Sequence, residues 1–264
     1  MSAGIAGPDP ALVIGDVPEW GAPYLAELTS TLQSVSDPFP CTFAVAAARK
    51  RTLRFAFVDD LGDDAAWAGL ATSLRQYLQI YQEFSRDTSF VALFRPERTQ
   101  RELAGYRERF WSVLQYLHDH DDEPWPAEIP TDPEDPHWEF CFGGTPIFVV
   151  CNTPAYSARR SRFGRNFQIT FQPRWVFDEL GPDSPRGIAA RRSIRRRLLA
   201  YDRMPPSGFL GDYGDPANRE YRQYFLPDRE DVVAADGSPP QAAGCPFAAR
   251  AAATAGGREQ SWST

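Results

Sequence analysis

Residues 137–174 read HWEFCFGGTPIFVVCNTPAYSARRSRFGRNFQITFQPR, and the fold turns on this stretch. An apolar run, Trp138 to Phe142, breaks at Gly143-Gly144 and resumes as Pro146 to Cys151. Two apolar runs across a Gly-Gly break read as a β-hairpin. Four arginines follow, Arg159, Arg160, Arg162 and Arg165, and then a third strand-like run from Phe167 to Phe171. Upstream, LRFAFV (Leu53 to Val58) and SFVALF (Ser89 to Phe94) read as two more strands.

Helix signals separate these strands. Asp63 or Asp64 can cap a helix whose apolar face runs Trp67, Leu70, Leu74, Tyr77, Tyr81 and Phe84. Thr99 with Glu102 reads as a capping box before Leu103, Tyr106, Phe110, Leu114 and Leu117. Ser184 and Pro185 open a third helix reaching about Tyr201, with Ile188, Ile194, Leu198 and Tyr201 on its apolar face. Leu25, Leu28 and Leu32 predict an earlier helix, and Tyr221 to Leu226 a short final strand. A hairpin adds antiparallel strands to any parallel pair. The prediction is therefore a single α/β (α+β) domain with a mixed, largely antiparallel sheet flanked by helices. Its expected limits are residues 37–228, after an N-terminal extension (1–36) with a helix and before a mobile tail (229–264).

The chain has 264 residues and a net charge of −7, which argues against a nucleic-acid-coating protein. No signal peptide and no run of roughly 20 apolar residues is visible, so the expectation is a cytoplasmic protein with no membrane segment. Four scattered cysteines, Cys41, Cys141, Cys151 and Cys245, form no CxxC pair. They suggest neither a zinc site nor a disulfide framework.

Three groups of residues bear on chemistry. His118-Asp119-His120-Asp121-Asp122 offers metal ligands four apart on one helix face, but a divalent site needs a third ligand and only His137 remains among the histidines; the plainer reading is a solvated helix end with histidines at the negative pole of the dipole. The arginine cluster beside a strand end is either solvated and paired with acids, or a clamp for phosphates or heme propionates. Cys141 and Cys151 read as core. Cys41 and Cys245 abut prolines and precede alanine-rich stretches. A cysteine at a helix N-cap has its thiolate favoured by free amides, and a thiolate can ligate heme iron and push electron density towards bound dioxygen.

The sequence resembles the YqcI/YcgG family from about Asp37 to Phe247. The resemblance rests on Phe39-Pro40-Cys41 with Phe43-Ala44, Pro124-Trp125-Pro126, WEFCFGG from Trp138, and Pro154-Ala155-Tyr156 leading to Arg160-Ser161-Arg162. It continues through FQPRWVFD from Phe171, Gly211 to Pro216, QYFLPD from Gln223, and Cys245-Pro246-Phe247. One departure is Tyr221, where the family pattern has tryptophan.

The resemblance implies a protein that binds heme b, takes electrons from an external redox partner and uses O2 to N-hydroxylate a guanidine or amine in natural-product biosynthesis. L-arginine is the foremost substrate and Nω-hydroxy-L-arginine its product. It makes Glu139 the expected carboxylate for the substrate cation, unless it pairs with Arg160 or Arg162. Arg160, Arg162 and Arg174 become expected partners of heme propionates or the substrate carboxylate, and Trp125 and Trp138 walls of the porphyrin. The axial ligand is expected among Cys245, Cys41 and His120, in that order. Two alternatives stand beside this: a heme sensor or carrier without turnover, and a divalent-metal enzyme using His118 and His120. The oligomeric state stays open, a homo-oligomer included.

Overall fold

The computed structural model describes residues 9–181 and 183–228. Five strands form one mixed sheet in the order β1-β2-β5-β4-β3, with β1 Leu53–Val58, β2 Ser89–Phe94, β3 Phe140–Phe142, β4 Thr145–Asn152 and β5 Gln168–Pro173. Only β1 and β2 run parallel; the other three neighbouring pairs are antiparallel. The β3–β4 hairpin turns at Gly143 and Gly144, whose φ angles of +58° and +64° lie in the left-handed region that glycine enters without steric cost.

Strand alternation divides the sheet into two unlike faces. One face carries Ala56, Phe90, Ala92, Ile169, Phe171 and Val149, all buried under α3 (Asp64–Ile80) and α4 (Leu103–Asp119). α3 is the crossover between the parallel pair, which antiparallel hairpins do not need. Asp63 caps it by accepting from the Ala65 amide at 2.9 Å. α4 begins differently from the expected capping box: Glu102 is itself the N-cap and makes no side-chain cap bond.

The opposite face changes character across its width. Over β1 and β2 it is apolar, and Leu53, Phe55, Val91 and Leu93 pack with Leu25 and Leu32 of α1 (Gly21–Gln33) and with Ala47 and Ala48 of α2 (Thr42–Lys50). The helix expected in an N-terminal extension thus shares a core with the sheet. Over β5 the same face carries Gln168, Thr170 and Gln172, registered against Asn152, Val150 and Phe148 of β4. Polar side chains in that row do not drive a helix down onto the strands, so the layer is left incomplete there.

After β5 the chain passes to α5 (Pro185–Tyr201), where the Ser184 hydroxyl accepts from the Gly187 amide at 2.9 Å, as the Ser-Pro signal predicts. Leu198 and Tyr201 are buried, but Ile188 is exposed and stands off the expected apolar face. The segment read as a final strand is instead the four-residue helix α6 (Tyr221–Tyr224). Its aromatic residues sit a helical turn apart, and Tyr221 and Tyr224 both pack into the main core. Among the described residues no helix is long and apolar enough to cross a membrane.

Candidate functional site

The incomplete layer encloses a cavity of about 940 Å³, at the upper end of the range usual for small-molecule and cofactor sites. Its floor is the polar row of β5 with Phe148, Val150 and Asn152 of β4. Its walls come from α1, the start of α2, α5, the arginine-bearing loop 153–167 and the segment around Tyr213 and Glu220. Phe39, Phe43, Leu28 and Leu198 make parts of the wall apolar.

Two carboxylates shape the arginine loop from outside. Asp228 accepts from the amides of Ser157, Ala158 and Arg159, and Asp202 accepts from the amide and hydroxyl of Ser161 at 2.7 and 2.8 Å. These carboxylates hold the loop through its backbone amides and the Ser161 hydroxyl. Arg162 is buried on the cavity wall and donates to the carbonyls of Tyr224 (3.2 Å) and Gln223 (3.0 Å), the carbonyl end of α6. No carboxylate among the described residues pairs with it, and burial pushes its pKa down. A guanidinium has five N–H donors, and a buried cation without a counter-charge is costly. Arg162 is thus a buried cation on the cavity lining, with Asp202 offsetting part of its charge through space. Arg160 also lines the wall but is committed to Asp37 and to the Tyr201 carbonyl.

Cys41 stands on the same wall as the N-cap of α2, its sulfur accepting from the Ala44 amide at 3.5 Å. The N-cap position is the one expected. The thiol is nonetheless pushed up by burial, which outweighs the Ala44 and Phe43 amides and the positive charge of Arg162. A metal bound to that sulfur would deprotonate it outright.

The third feature is an acid–base triad. Arg174, on the cavity wall after β5, donates to both oxygens of Glu139 (2.5 and 2.7 Å) and, at 3.2 Å, to Glu220. Glu139 is fully buried and Glu220 is 4% exposed. The Arg174 guanidinium lies 3.4 Å from the Tyr213 ring centre, a cation–π contact. Burial pushes the Glu220 carboxyl up to about 7, the neighbouring Glu139 charge adds to the rise, and Arg174 opposes both. Burial raises Glu139 as well, against the pull of Arg174. Glu139 pairs with neither Arg160 nor Arg162, and its carboxylate lies behind Arg174, off the cavity lining; Glu220 is the carboxylate of the triad that reaches the wall, beside Arg174.

The other expected site residues lie elsewhere. Trp125 and Trp138 stack on each other at 6.3 Å on the α4 side of the sheet, away from the cavity, and Trp138 is fully buried. His120, at the end of α4, lies flat on Tyr116 with its Nδ1 2.8 Å from the Tyr116 carbonyl, and it is off the cavity lining. His118 packs edge-on against Trp125. Among the described residues no three His, Cys, Asp or Glu side chains converge as a metal site, so His118 and His120 gain no third ligand. Cys245 lies outside the described residues. The structure therefore brings Cys41, Arg160, Arg162 and Arg174 to one cavity. It adds Glu220, which sequence reasoning missed; the one signal was an acid set among aromatics in Glu220-Tyr221-Arg222-Gln223-Tyr224-Phe225.

The sequence profile of the YqcI/YcgG family matches residues 28–247. The "Uncharacterized protein YcgG" of Bacillus subtilis (strain 168) is 41% identical over 221 residues, spanning 83% of this chain and 87% of that one. "Uncharacterized protein YqcI" of the same organism is 38% identical over 220 residues, 82% of this chain and 87% of the relative. The "Putative N(omega)-hydroxy-L-arginine synthase DcsA" of Streptomyces lavendulae is 34% identical over 248 residues, 90% of this chain and 87% of that one. No solved structure matches the chain.

Proposed function

This chain belongs to the YqcI/YcgG family, and from that premise we propose that it is a heme-dependent monooxygenase that N-hydroxylates a guanidine or amine. L-arginine is the proposed substrate and Nω-hydroxy-L-arginine the product, the compound after which the Streptomyces lavendulae relative is named. The observation that carries this reading is the pairing, on one cavity wall, of the Cys41 sulfur with the buried cation Arg162. A heme needs an axial donor and partners for its two propionates, and the cavity offers a donor of each kind. Cys41 would hold the heme iron through its sulfur, which the Ala44 amide of α2 would tune. Arg162, and Arg160 beside it, would meet a propionate.

When bound, heme would supply the O2 activation and oxygen transfer that no side chain can perform, with electrons from an external donor. The protein's own residues then bind and orient. The apolar walls from Phe39, Phe43 and Leu28 exclude water, which strengthens every charge interaction inside. Gln168, Thr170 and Gln172 give a polar floor on which a second, smaller molecule can be positioned.

The test is the absorption spectrum of protein expressed with ample heme, as wild type and as Cys41→Ala. The expected result is a Soret band in the wild type and an altered reduced-plus-CO spectrum in the variant. Colourless wild type would refute heme dependence, and an unaltered variant spectrum would move the ligand elsewhere. Mass spectrometry after incubation with L-arginine, reductant and O2 checks the product. Heme binding with no conversion of arginine, other guanidines or amines would shift the reading to a heme carrier.

A further inference from the structure

The cavity wall carries four carboxylates, Glu27, Asp178, Asp212 and Glu220. Three are matched by an arginine: Glu27 by Arg165 at 2.7 Å, Asp178 by Arg86 at 3.1 Å and Asp212 by Arg191 at 3.0 Å. Glu220 differs. Its cation, Arg174, already holds Glu139 bidentately, and its bond to Glu220 is the longer one at 3.2 Å. With all three groups ionised the triad carries one surplus negative charge, and it meets the cavity through Arg174 and Glu220, of which Glu220 is the carboxylate.

We infer that Glu220 is the carboxylate that receives the cationic head of the substrate, a guanidinium or an ammonium, with Arg174 and Glu139 as positioning residues behind it. The inference rests on the reading of this cavity as a substrate site. Arg174 fixes one Glu220 oxygen; the amides of Asn218 and Gln223 donate to the other at 3.3 Å each. That leaves one lone pair of a fixed carboxylate, on the oxygen Arg174 holds, to accept a single charge-assisted N–H···O bond from a guanidinium or an ammonium. Glu139 matters although it touches no ligand. It neutralises Arg174, so the charge of Glu220 is left to be met from the cavity. A direct Arg174–Glu220 pair without Glu139 would be neutral and would have no preference for a cation.

The groups around Glu220 also fix how binding depends on pH. Arg174, Glu139, Asn218 and Gln223 contact or face it, and the phenols of Tyr213 and Tyr224 stand within electrostatic reach. Burial and the neighbouring Glu139 charge push the Glu220 carboxyl up to about 7. In the empty cavity below that pH the carboxyl holds a proton. A cationic ligand displaces it: the ligand binds, the carboxyl ionises, and one proton passes to solvent.

The experiment is isothermal titration of L-arginine and of L-citrulline into wild type, Glu220→Gln and Glu139→Gln. It is run on protein of measured heme content, at pH 6.5 and pH 8, and in two buffers of different ionisation enthalpy. Citrulline has the same shape with a neutral ureido head. The expected results are preference for arginine over citrulline in wild type and release of roughly three-quarters of a proton per arginine at pH 6.5 and about a tenth at pH 8, as for a carboxyl at about 7. Arginine affinity is expected to fall roughly ten- to a hundredfold in Glu220→Gln, as for loss of a charged hydrogen-bonding partner, and by a smaller factor in Glu139→Gln. Glu220→Gln keeps the shape and the Arg174 bond, and its melting temperature monitors folding. Wild-type affinity in Glu220→Gln, no arginine binding in wild type, or absence of proton release at pH 6.5 would each overturn the inference. The outcomes separate from those for heme: Glu220-dependent arginine binding by colourless protein supports the cation site and sinks the oxygenase. A heme protein that turns over arginine with Glu220 silent does the reverse.

Discussion

Replacing Arg174 by methionine should destabilise the protein in a strongly pH-dependent way. Arg174 makes three N–H···O bonds to two carboxylates that are 0% and 4% exposed. Methionine keeps much of the stem but leaves Glu139 and Glu220 facing one another without a cation. Both native carboxyls are already raised above their ordinary 4.5, Glu220 to about 7, so the fold takes up protons that the unfolded chain has released. A group raised in this way favours folding at low pH, and that advantage is lost as pH climbs from the unfolded value to the folded one. Wild type holds one such proton below about pH 7 and none at pH 8; without Arg174 the fold must hold one more at either pH. Keeping a carboxyl protonated against a value of 4.5 costs about 1.4 kcal/mol at pH 5.5 and about 5 kcal/mol at pH 8. The expected loss is therefore about 1–2 kcal/mol at pH 5.5 and about 4–5 kcal/mol at pH 8, the latter matching the usual cost of orphaning a buried charge. Urea denaturation followed by tryptophan fluorescence at the two pH values measures it. Arg174→Met/Glu139→Gln should recover roughly 3 kcal/mol at pH 8, because the added proton is no longer needed. A loss equal at both pH values, or below about 1 kcal/mol at pH 8, would refute this account of the triad.

Three further outcomes are expected. His120→Ala should leave heme content and the absorption spectrum unchanged, because His120 stacks on Tyr116 away from the cavity; a lost or shifted Soret band would return the ligand to His120. Cys41→Ala should alter the reduced-plus-CO spectrum, because among the described residues its sulfur is the thiol on the cavity wall. Gly143→Ala and Gly144→Ala should each cost roughly 1–2 kcal/mol in thermal or urea unfolding, since each φ is positive. Gly143 should suffer more, as its added Cβ would lie 3.2 Å from the Leu78 side chain.

Most of the fold was legible because its signals are local. The strands at 53–58 and 89–94 are bounded apolar runs, Gly143-Gly144 permits only a tight turn, and Ser184-Pro185 starts a helix at the position it should. The failures came where one pattern serves two periods. Tyr221-Arg222-Gln223-Tyr224-Phe225 supports a short strand as well as a helical turn, and only the packing of Tyr221 and Tyr224 into one core decides for the helix. Thr99 and Glu102 have capping-box spacing, yet the helix begins at Leu103, so Glu102 is already its cap.

The site was legible only in part, and strand alternation explains which part. In Trp138-Glu139-Phe140-Cys141-Phe142, alternate side chains point to opposite faces of the sheet. Phe140 and Phe142 face α3 and α4, so Trp138 goes with them into that core and Glu139 goes to the other side with Cys141. Trp138 and Glu139 could therefore never share a pocket, although both were expected in one. The same rule applied to Gln168-Ile169-Thr170-Phe171-Gln172 puts three polar residues on the face that α3 and α4 do not cover. A strand at the centre of a five-stranded sheet with such a face must be met by water, a ligand or polar partners, and here it is the cavity floor. What alternation cannot supply is the meeting of Glu139, Arg174 and Glu220, since three distant segments fix it. Charge does the selecting there: a buried Glu139 requires a cation, Arg174 at the adjoining end of β5 provides it, and the second carboxylate that Arg174 draws in is the one that faces the ligand.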